Sequence, residues 1–157
     1  MLLPLFQAVE SSAVGQAIRD SLWLFPFVEA FHLLGLAVIG GAILIVDFRM
    51  LGLVLRDHPL ARIARDTQPW VIGSLLAMIL SGVPLFVSEA VKCYYSGAFW
   101  TKMTSLGFAI AFTFTIRRTV TSAADDRFSP LVNRAVAVIS IALWSTVGWG
   151  GRWIGFS

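Results

Sequence analysis

Two residues in the first long apolar stretch of the chain have side chains that can do chemistry. Glu29 and His32 stand one helical turn apart, well inside a run of apolar residues. Ionisable groups at such a depth in a bilayer are rare and usually functional. An imidazole there can ligate haem iron, relay protons together with Glu29, or hydrogen-bond to a facing helix and hold the two helices together.

The surroundings of His32 in the sequence favour haem ligation. Glycines beside His32, such as Gly35 and Gly40, leave space for a flat macrocycle between helices. Bis-histidine haem sites use histidines on two spans, but this chain has two histidines in all, and His58 falls in a connecting loop. The second axial position is therefore expected to come from Met78 or a neighbouring subunit, or to stay open, and His58 is a candidate ligand for a separate haem.

A layer of four charged residues is predicted near the end of the bundle at which the first span begins. Its members are Glu29, Glu89, Lys102 and Arg152, and each belongs to a different predicted helix. Buried charges persist when they are paired or hydrated, so neutralisation across the bundle is the simplest role for this layer. A polar pocket for a ligand or a proton is the alternative.

A second group of charges lies at the opposite membrane boundary. Asp47 and Arg49 stand where the first span ends, and Arg117 and Arg118 close the third span on the same side. An Asp–Arg pair there would neutralise itself or anchor the helix end, whereas binding of an anionic lipid headgroup or a haem propionate is the functional alternative. The candidate partners for haem propionates are Arg49 and Arg117 at this boundary and Arg152 in the charge layer at the other end.

The composition places these residues in a membrane. Hydrophobic residues make up 57% and charged residues 13% of the 157 residues, against roughly 25% charged in soluble domains, and the mean hydropathy is +0.80. We predict an all-α integral membrane four-helix bundle forming one transmembrane domain over residues 1–157, with spans at about 22–47, 70–91, 103–118 and 131–151. Residues 1–20 are predicted to form an amphipathic interfacial helix, and residues 49–69 a basic loop with a short interfacial helix after Pro59.

Basic residues set the predicted orientation. Of the twelve lysines and arginines, those in or beside the first and third connecting loops are Arg49, Arg56, Arg62, Arg65, Arg117, Arg118, Arg127 and Arg134. The positive-inside rule puts these loops in the cytoplasm and both termini outside, in a bacterial inner membrane. The net charge of +3 is therefore typical of membrane loops and does not indicate nucleic-acid binding. Small-residue helix faces and the length of the first span favour a homo-oligomer.

Several of these segments together carry a resemblance. Residues 21–26 (SLWLFP), 32–36 (HLLGL) and 47–52 (DFRMLG), with Pro69-Trp70, Lys102-Met103 and Gly151-Arg152, are similar to a family of small four-helix bacterial membrane proteins with no assigned function. More distantly, a histidine in the first span followed by small residues resembles four-helix copper-resistance proteins and haem-pathway membrane oxidases. Residues 92–101 contain neither Met nor His, so the outer loop lacks the ligands expected for copper handling.

These observations predict a protein that binds haem b in the membrane and transfers electrons to a redox partner, with His32 ligating the haem iron. Two alternatives remain: a non-enzymatic structural or accessory membrane subunit in which His32 joins helices, and a small proton-coupled carrier using Glu29 and His32. The sequence contains no Gly-rich phosphate loop, GxSxG, HExxH or CxxC, so it gives no sign of hydrolase, kinase or zinc chemistry of the kind found in soluble enzymes.

Overall fold

The computed structural model describes residues 2–123 and 127–155, in which every regular element is helical. The α-helices are α1 (Leu3–Glu10), α2 (Ala13–Asp20), α3 (Leu24–Met50), α4 (Leu60–Ser88), α5 (Ala90–Tyr95), α6 (Gly97–Phe112), α7 (Arg118–Thr121) and α8 (Pro130–Ile154). A π-helical segment, Thr113–Arg117, lies between α6 and α7. The prediction of an all-α chain is confirmed for these residues.

Three helices of the described part, α3, α4 and α8, are long and apolar enough to cross a membrane. They contain 27, 29 and 25 residues, and at about 1.5 Å per residue each exceeds a hydrocarbon core of about 30 Å. Their most apolar stretches have mean hydropathies of 2.1, 2.1 and 1.5, yet no more than 33% of any such stretch is buried inside the chain. Apolar surface on this scale is suited to contact with lipid.

A fourth long helical run consists of α6, the π-helical segment and α7, which follow one another without interruption over residues 97–121. The backbone stays in the right-handed helical region at both junctions. A π-helical turn takes an extra residue and widens the helix locally. The predicted third span, residues 103–118, falls inside this run, although α6 by itself has 16 residues, fewer than the roughly 20 that a span requires.

The long helices run alternately up and down. The two ends of the helical bundle are named here after the elements and residues found at each. The cap end carries α1, α2 and α5, and the arginine-rich end carries the starts of α4 and α8 and the ends of α3 and α7. α3 packs against both α4 and α8, and α8 packs against α6. In the described part, α4 and α6 approach each other much less closely. The packing between α4 and α6 is therefore looser than that of α3 with α4, α3 with α8 or α6 with α8.

Two clusters of buried apolar side chains hold the long helices together. The cluster at mid-height contains Ile39, Ile43, Val71, Leu75, Met78, Ala109, Trp144 and Val147. The cluster nearer the arginine-rich end contains Val46, Met50, Leu60, Ile63, Val120, Val136 and Ala137. These two clusters therefore extend from mid-height to the arginine-rich end.

The predicted loop over residues 49–69 is mostly helical. α4 begins at Leu60 and continues through Pro69 to Ser88, so the separate interfacial helix expected after Pro59 is wrong. A proline inside a helix removes one backbone hydrogen bond, but long apolar helices tolerate it because neighbouring groups satisfy the freed carbonyl. The second span consequently starts earlier than predicted and ends at Ser88 rather than Val91.

The N-terminal residues form two helices in place of the single amphipathic helix predicted over residues 1–20. α2 starts at Ser12, whose hydroxyl accepts a hydrogen bond from the N–H of Gly15 as an N-cap. A Cβ added to Gly15 would lie 2.6 Å from the carbonyl oxygen of Glu10 and 2.9 Å from that of Val87. Glycine is therefore required for the close approach of α2 to α4, a tertiary contact that the sequence pattern does not reveal.

Candidate functional site

The imidazole of His32 is held by a serine on the facing helix. Nδ1 of His32 lies 2.9 Å from Oγ of Ser81, and the hydroxyl of Ser81 donates to the carbonyl oxygen of Ala77 at 2.7 Å. Since that hydroxyl has one proton, we assign the proton of the His32 contact to Nδ1. Nε2 then carries the lone pair and is the ring nitrogen that could ligate a metal.

Glycines allow α3 and α4 to interlock around this contact. A Cβ at Gly82 would lie 3.3 Å from Cε1 of His32, so the imidazole rests against the bare backbone of α4. One turn further into the bundle, a Cβ at Gly35 would lie 3.0 Å from Cγ of Met78. Met78 is thus packed tightly toward α3 and belongs to the mid-height apolar cluster, as expected of core packing.

Next to His32 the cap end contains a cavity of about 420 Å³, which we call the cap-end cavity. Its ionisable lining consists of Glu29, His32, Glu89, Lys92, Cys93, Lys102 and Arg152, and its apolar lining includes Phe25, Leu36, Met78, Phe86, Phe99 and Val147. The volume lies within the range of about 300–1,000 Å³ typical of ligand pockets. The structure therefore brings the four-residue charge layer expected from the sequence to the same cavity as His32 and Met78.

Lys102 reaches the cavity along a glycine pair on α8. A Cβ at Gly150 would lie 3.1 Å from Cβ of Lys102, and a Cβ at Gly151 would lie 3.3 Å from its Nζ. The lysine stem therefore lies flat on α8, which brings a half-buried ammonium group to the cavity wall. No carboxylate of the described residues lies within ion-pair distance of this group.

The acids of the cavity are arranged differently from the neutralising layer that the sequence favours. Glu89 pairs with Lys92, its neighbour one turn away, at 3.8 Å, and both side chains are more than a third exposed. Glu29 is exposed at the cavity wall. Such a local and exposed pair contributes little stability. The cavity thus holds groups of both signs, among them a cation that no described carboxylate neutralises.

A network that sequence reasoning missed fixes the cap over this end. The carboxylate of Glu10 accepts a hydrogen bond from the N–H of Val91 at 2.6 Å and pairs with Arg19 at 3.0 Å. Arg19 in turn donates to the carbonyl oxygen of Ser88 at 3.0 Å. These contacts join α1 and α2 to the junction of α4 and α5. The network thereby positions α5, which supplies Lys92 and Cys93 to the cavity.

At the arginine-rich end, Asp47 is paired with a residue from the π-helical segment. Nε of Arg117 donates to Oδ1 of Asp47 at 2.9 Å, and its Nη2 donates to the carbonyl oxygen of Ile43 at 3.2 Å. Both charged side chains are buried, Asp47 completely. Arg49 instead donates to the carbonyl oxygen of His58 at 2.9 Å. The helix-end anchor expected for Asp47 is therefore formed by Arg117.

Three of the predicted haem-site residues lie far from His32. Arg49 follows His32 by seventeen residues on α3, which corresponds to about 25 Å along the helix. His58 and Arg117 lie at the same arginine-rich end as Arg49. One haem cannot contact both ends, so of the candidates only Met78 and Arg152 share a cavity with His32.

The described residues contain no group of three or more His, Cys, Asp or Glu side chains arranged to hold a metal ion. A haem needs only one or two axial ligands from the protein, so the site requirement differs from that of a metal-ion cage. His32 lines the cap-end cavity and could supply one such ligand.

The chain belongs to DUF6644, a family of unknown function, which it matches over residues 6–157. This match agrees with the resemblance to uncharacterised membrane proteins drawn from the sequence motifs. No curated protein and no solved structure matches the chain. The more distant similarity to haem and copper proteins accordingly stays an expectation from the sequence.

Proposed function

We propose that this protein binds one haem b in the cap-end cavity, with His32 as axial ligand, and transfers electrons within the membrane. The observation that carries the proposal is the contact of His32 with the facing helix: Nδ1 lies in hydrogen-bond distance of Oγ of Ser81, which leaves Nε2 as the nitrogen with the lone pair when Nδ1 carries the proton. Ligating histidines characteristically donate their other ring N–H to a neighbour, which fixes the ring and raises its basicity. A bound haem would supply one-electron redox chemistry.

The remainder of the cap-end cavity suits an amphipathic, dianionic ring system. Aromatic and aliphatic side chains such as Phe25, Phe86 and Phe99 form apolar walls. The ammonium group of Lys102 and the guanidinium of Arg152 lie at the same cavity and are suited to pair with propionates. Under this proposal His32 would hold the haem iron, and Met78 stays in the core, packed toward Gly35.

A visible spectrum of the protein purified in mild detergent tests this proposal. We expect a Soret band, with α and β bands that sharpen on reduction with dithionite, and loss of these bands in His32→Ala. His58→Ala is the matched control, because it removes the other histidine at the opposite end and should leave the spectrum unchanged. A folded but colourless protein, obtained with haem supplied during expression, would contradict the proposal.

A small proton-coupled carrier is the second candidate function. Glu29 and His32, whose side chains can exchange protons, line one cavity, and this favours the carrier function. The same cavity is also lined by positively charged side chains. Proton flux into vesicles reconstituted with the protein distinguishes the two functions. A carrier is expected to show proton flux that Glu29→Gln abolishes. A colourless protein without proton flux would instead support the third possibility, an accessory subunit in which the His32–Ser81 contact joins helices.

We also propose that residues 97–121 form a fourth membrane span and that the arginine-rich end faces the cytoplasm of a bacterial cell. The continuity of this run supports the first point, and the location of Arg49, Arg62, Arg118 and Arg134 supports the second. With four spans the two termini lie on one side, whereas with three they lie on opposite sides. Alkaline phosphatase and GFP fusions at each terminus therefore decide between these topologies.

A further inference from the structure

A second cavity lies at the arginine-rich end, between α4 on one side and the π-helical segment with α7 on the other. It has a volume of about 220 Å³, and its polar lining includes Arg65, Gln68, Thr113, Arg117, Arg118 and Ser122. We call it the arginine cavity. It lies at the opposite end of the long helices from the cap-end cavity and shares no lining residue with it, so it is separate from the proposed haem site.

The arginine cavity carries an excess of positive charge. None of the described residues that line it is acidic. The buried guanidinium of Arg117 is neutralised by Asp47, but within the described residues neither Arg65 nor Arg118 lies within ion-pair distance of a carboxylate. Like charges brought to one cavity repel each other unless an anion lies between them.

The local structure explains why the cavity exists. Arg117 is drawn inward by its contacts with Asp47 and with the carbonyl oxygen of Ile43, and the helix around it adopts the wider π-helical form. On the facing helix, Ala61 and Ala64 have side chains too small to fill the gap. The space between the helices is thus bounded by arginines and hydroxyl groups rather than closed by apolar packing.

The position of the cavity along the helices corresponds to a membrane interface. On α4 the polar residues Arg65 and Gln68 are followed, after Pro69, by Trp70, which is 64% exposed, and on the facing run Ile116 is 53% exposed. Exposed aromatic and apolar side chains directly beyond an arginine cluster place the cluster at headgroup level, with the acyl-chain region next to it.

We propose that the arginine cavity binds the phosphate group of an acidic phospholipid, with Arg65 and Arg118 as its principal ligands. Guanidinium groups bind phosphate oxygens in bidentate fashion, and basic pockets between membrane helices on the cytoplasmic side bind anionic headgroups. The apolar surface around Trp70 and Ile116 would accommodate the acyl chains, which a free phosphate ion lacks.

Lipid binding to the detergent-purified, delipidated full chain tests this proposal. Phosphatidylglycerol is titrated and binding is measured by native mass spectrometry and by the shift in unfolding temperature, with phosphatidylcholine and inorganic phosphate as separate arms. We expect saturable binding of phosphatidylglycerol, weaker by about fivefold for each arginine removed in Arg65→Gln and Arg118→Gln. Arg62→Gln is the matched control, since Arg62 is an exposed arginine on the same helix that pairs with Asp66 and does not line the cavity.

Each other outcome overturns the proposal in a different way. Equal binding by the double variant Arg65→Gln/Arg118→Gln would show that the arginine cavity is not the site. Equal binding of phosphatidylcholine would show that charge does not select the lipid, and saturation by inorganic phosphate alone would assign the cavity to a soluble anion. Both arginines are exposed, so their replacement should preserve the fold, and circular dichroism of each variant verifies this. Arg65→Lys/Arg118→Lys, which keeps the charge, should restore part of the affinity.

Discussion

Nδ1 of His32 is hydrogen-bonded to Oγ of Ser81 at 2.9 Å, and this contact joins α3 to α4 beside the cap-end cavity. The two residues are 49 positions apart in the chain. The contact does two things at once, because it links the helices and it fixes which ring nitrogen keeps its lone pair. The proposed role of His32 as a haem ligand therefore depends on the same hydrogen bond that joins the two helices, and ligation at Nε2 would distinguish it from a purely structural role.

Replacing Ser81 with Ala tests this dual role. The variant leaves Nδ1–H without its acceptor, so the ring loses its fixed orientation, and we expect haem affinity to fall about 10- to 100-fold. Haem titration of the apoprotein, followed by Soret absorbance, measures the change. Ser74→Ala is the matched control: Ser74 is also buried on α4 and also bonds back to its own helix, but it has no histidine partner. Equal affinity of the two variants would show that Ser81 does not orient the ligand.

The second prediction concerns Gly82, which lacks a side chain where the imidazole of His32 packs against α4. In Gly82→Ala the new Cβ would lie 3.3 Å from Cε1 of His32, so the imidazole must shift by a few tenths of an ångström. Crowding of this kind costs about 1–3 kcal/mol, which offsets the gain of about 1 kcal/mol for Ala over Gly in a helix. At Gly73 on the same helix, an added Cβ meets nothing within 4 Å, so Gly73→Ala should be the more stable of the two in thermal unfolding.

That Glu29, Lys102 and Arg152 lie near one end of the helices was predictable, whereas their contacts were not, and Arg49, His58 and Arg117 were placed in a haem site that they cannot share with His32. Helical rise gives the depth of each residue once hydropathy has given the order of the spans. The partner of His32 depends on which face of α4 meets α3, and Ser81 is one of many serines in the chain. That face is set by packing around glycines, which hydropathy does not report.

The pairing at the arginine-rich end shows a similar limit. Residues two apart on a helix point in different directions, so Asp47 and Arg49 are poorly placed to pair with each other. The spacing of Asp47 and Arg49 therefore argues against an ion pair between these two residues. It does not identify Arg117 as the partner of Asp47, because that depends on how α3 packs against the π-helical segment. The contact between Glu10 and Val91 escaped prediction for the same reason, as the residues are 81 positions apart.

The thiol of Cys93 is predicted to be inert. Burial, with a further contribution from the charge of Glu89, raises the pKa of Cys93 from 9.0 to about 11. At pH 8 the thiolate fraction is then about a hundredfold smaller than for a thiol with the ordinary value. We expect slow alkylation by iodoacetamide in the folded protein, with a rate that rises about tenfold per pH unit up to the pKa.

An exposed thiol in the same helix provides the comparison for Cys93. Tyr95 is 70% exposed, so Tyr95→Cys in a Cys93→Ser background should be alkylated at the rate of a free thiol. Mass spectrometry of the labelled chains gives both rates. Labelling of native Cys93 as fast as that variant at pH 8 would mean that α5 opens readily and that the cap network around Glu10 does not hold it.

The buried pair of Asp47 and Arg117 should dominate stability at the arginine-rich end. Arg117→Met leaves a buried carboxylate without its partner, and Asp47→Leu leaves a buried guanidinium, so each should lower the free energy of unfolding by about 3–5 kcal/mol. The double variant replaces the pair with apolar groups and should recover most of that loss. The exposed pair of Arg62 and Asp66, at 3.9 Å, serves as a control cycle, for which we expect a coupling energy below about 1 kcal/mol. Unfolding in mixed detergent micelles measures all variants, and additive losses in the Asp47–Arg117 cycle would show that the two side chains do not stabilise the fold as a pair.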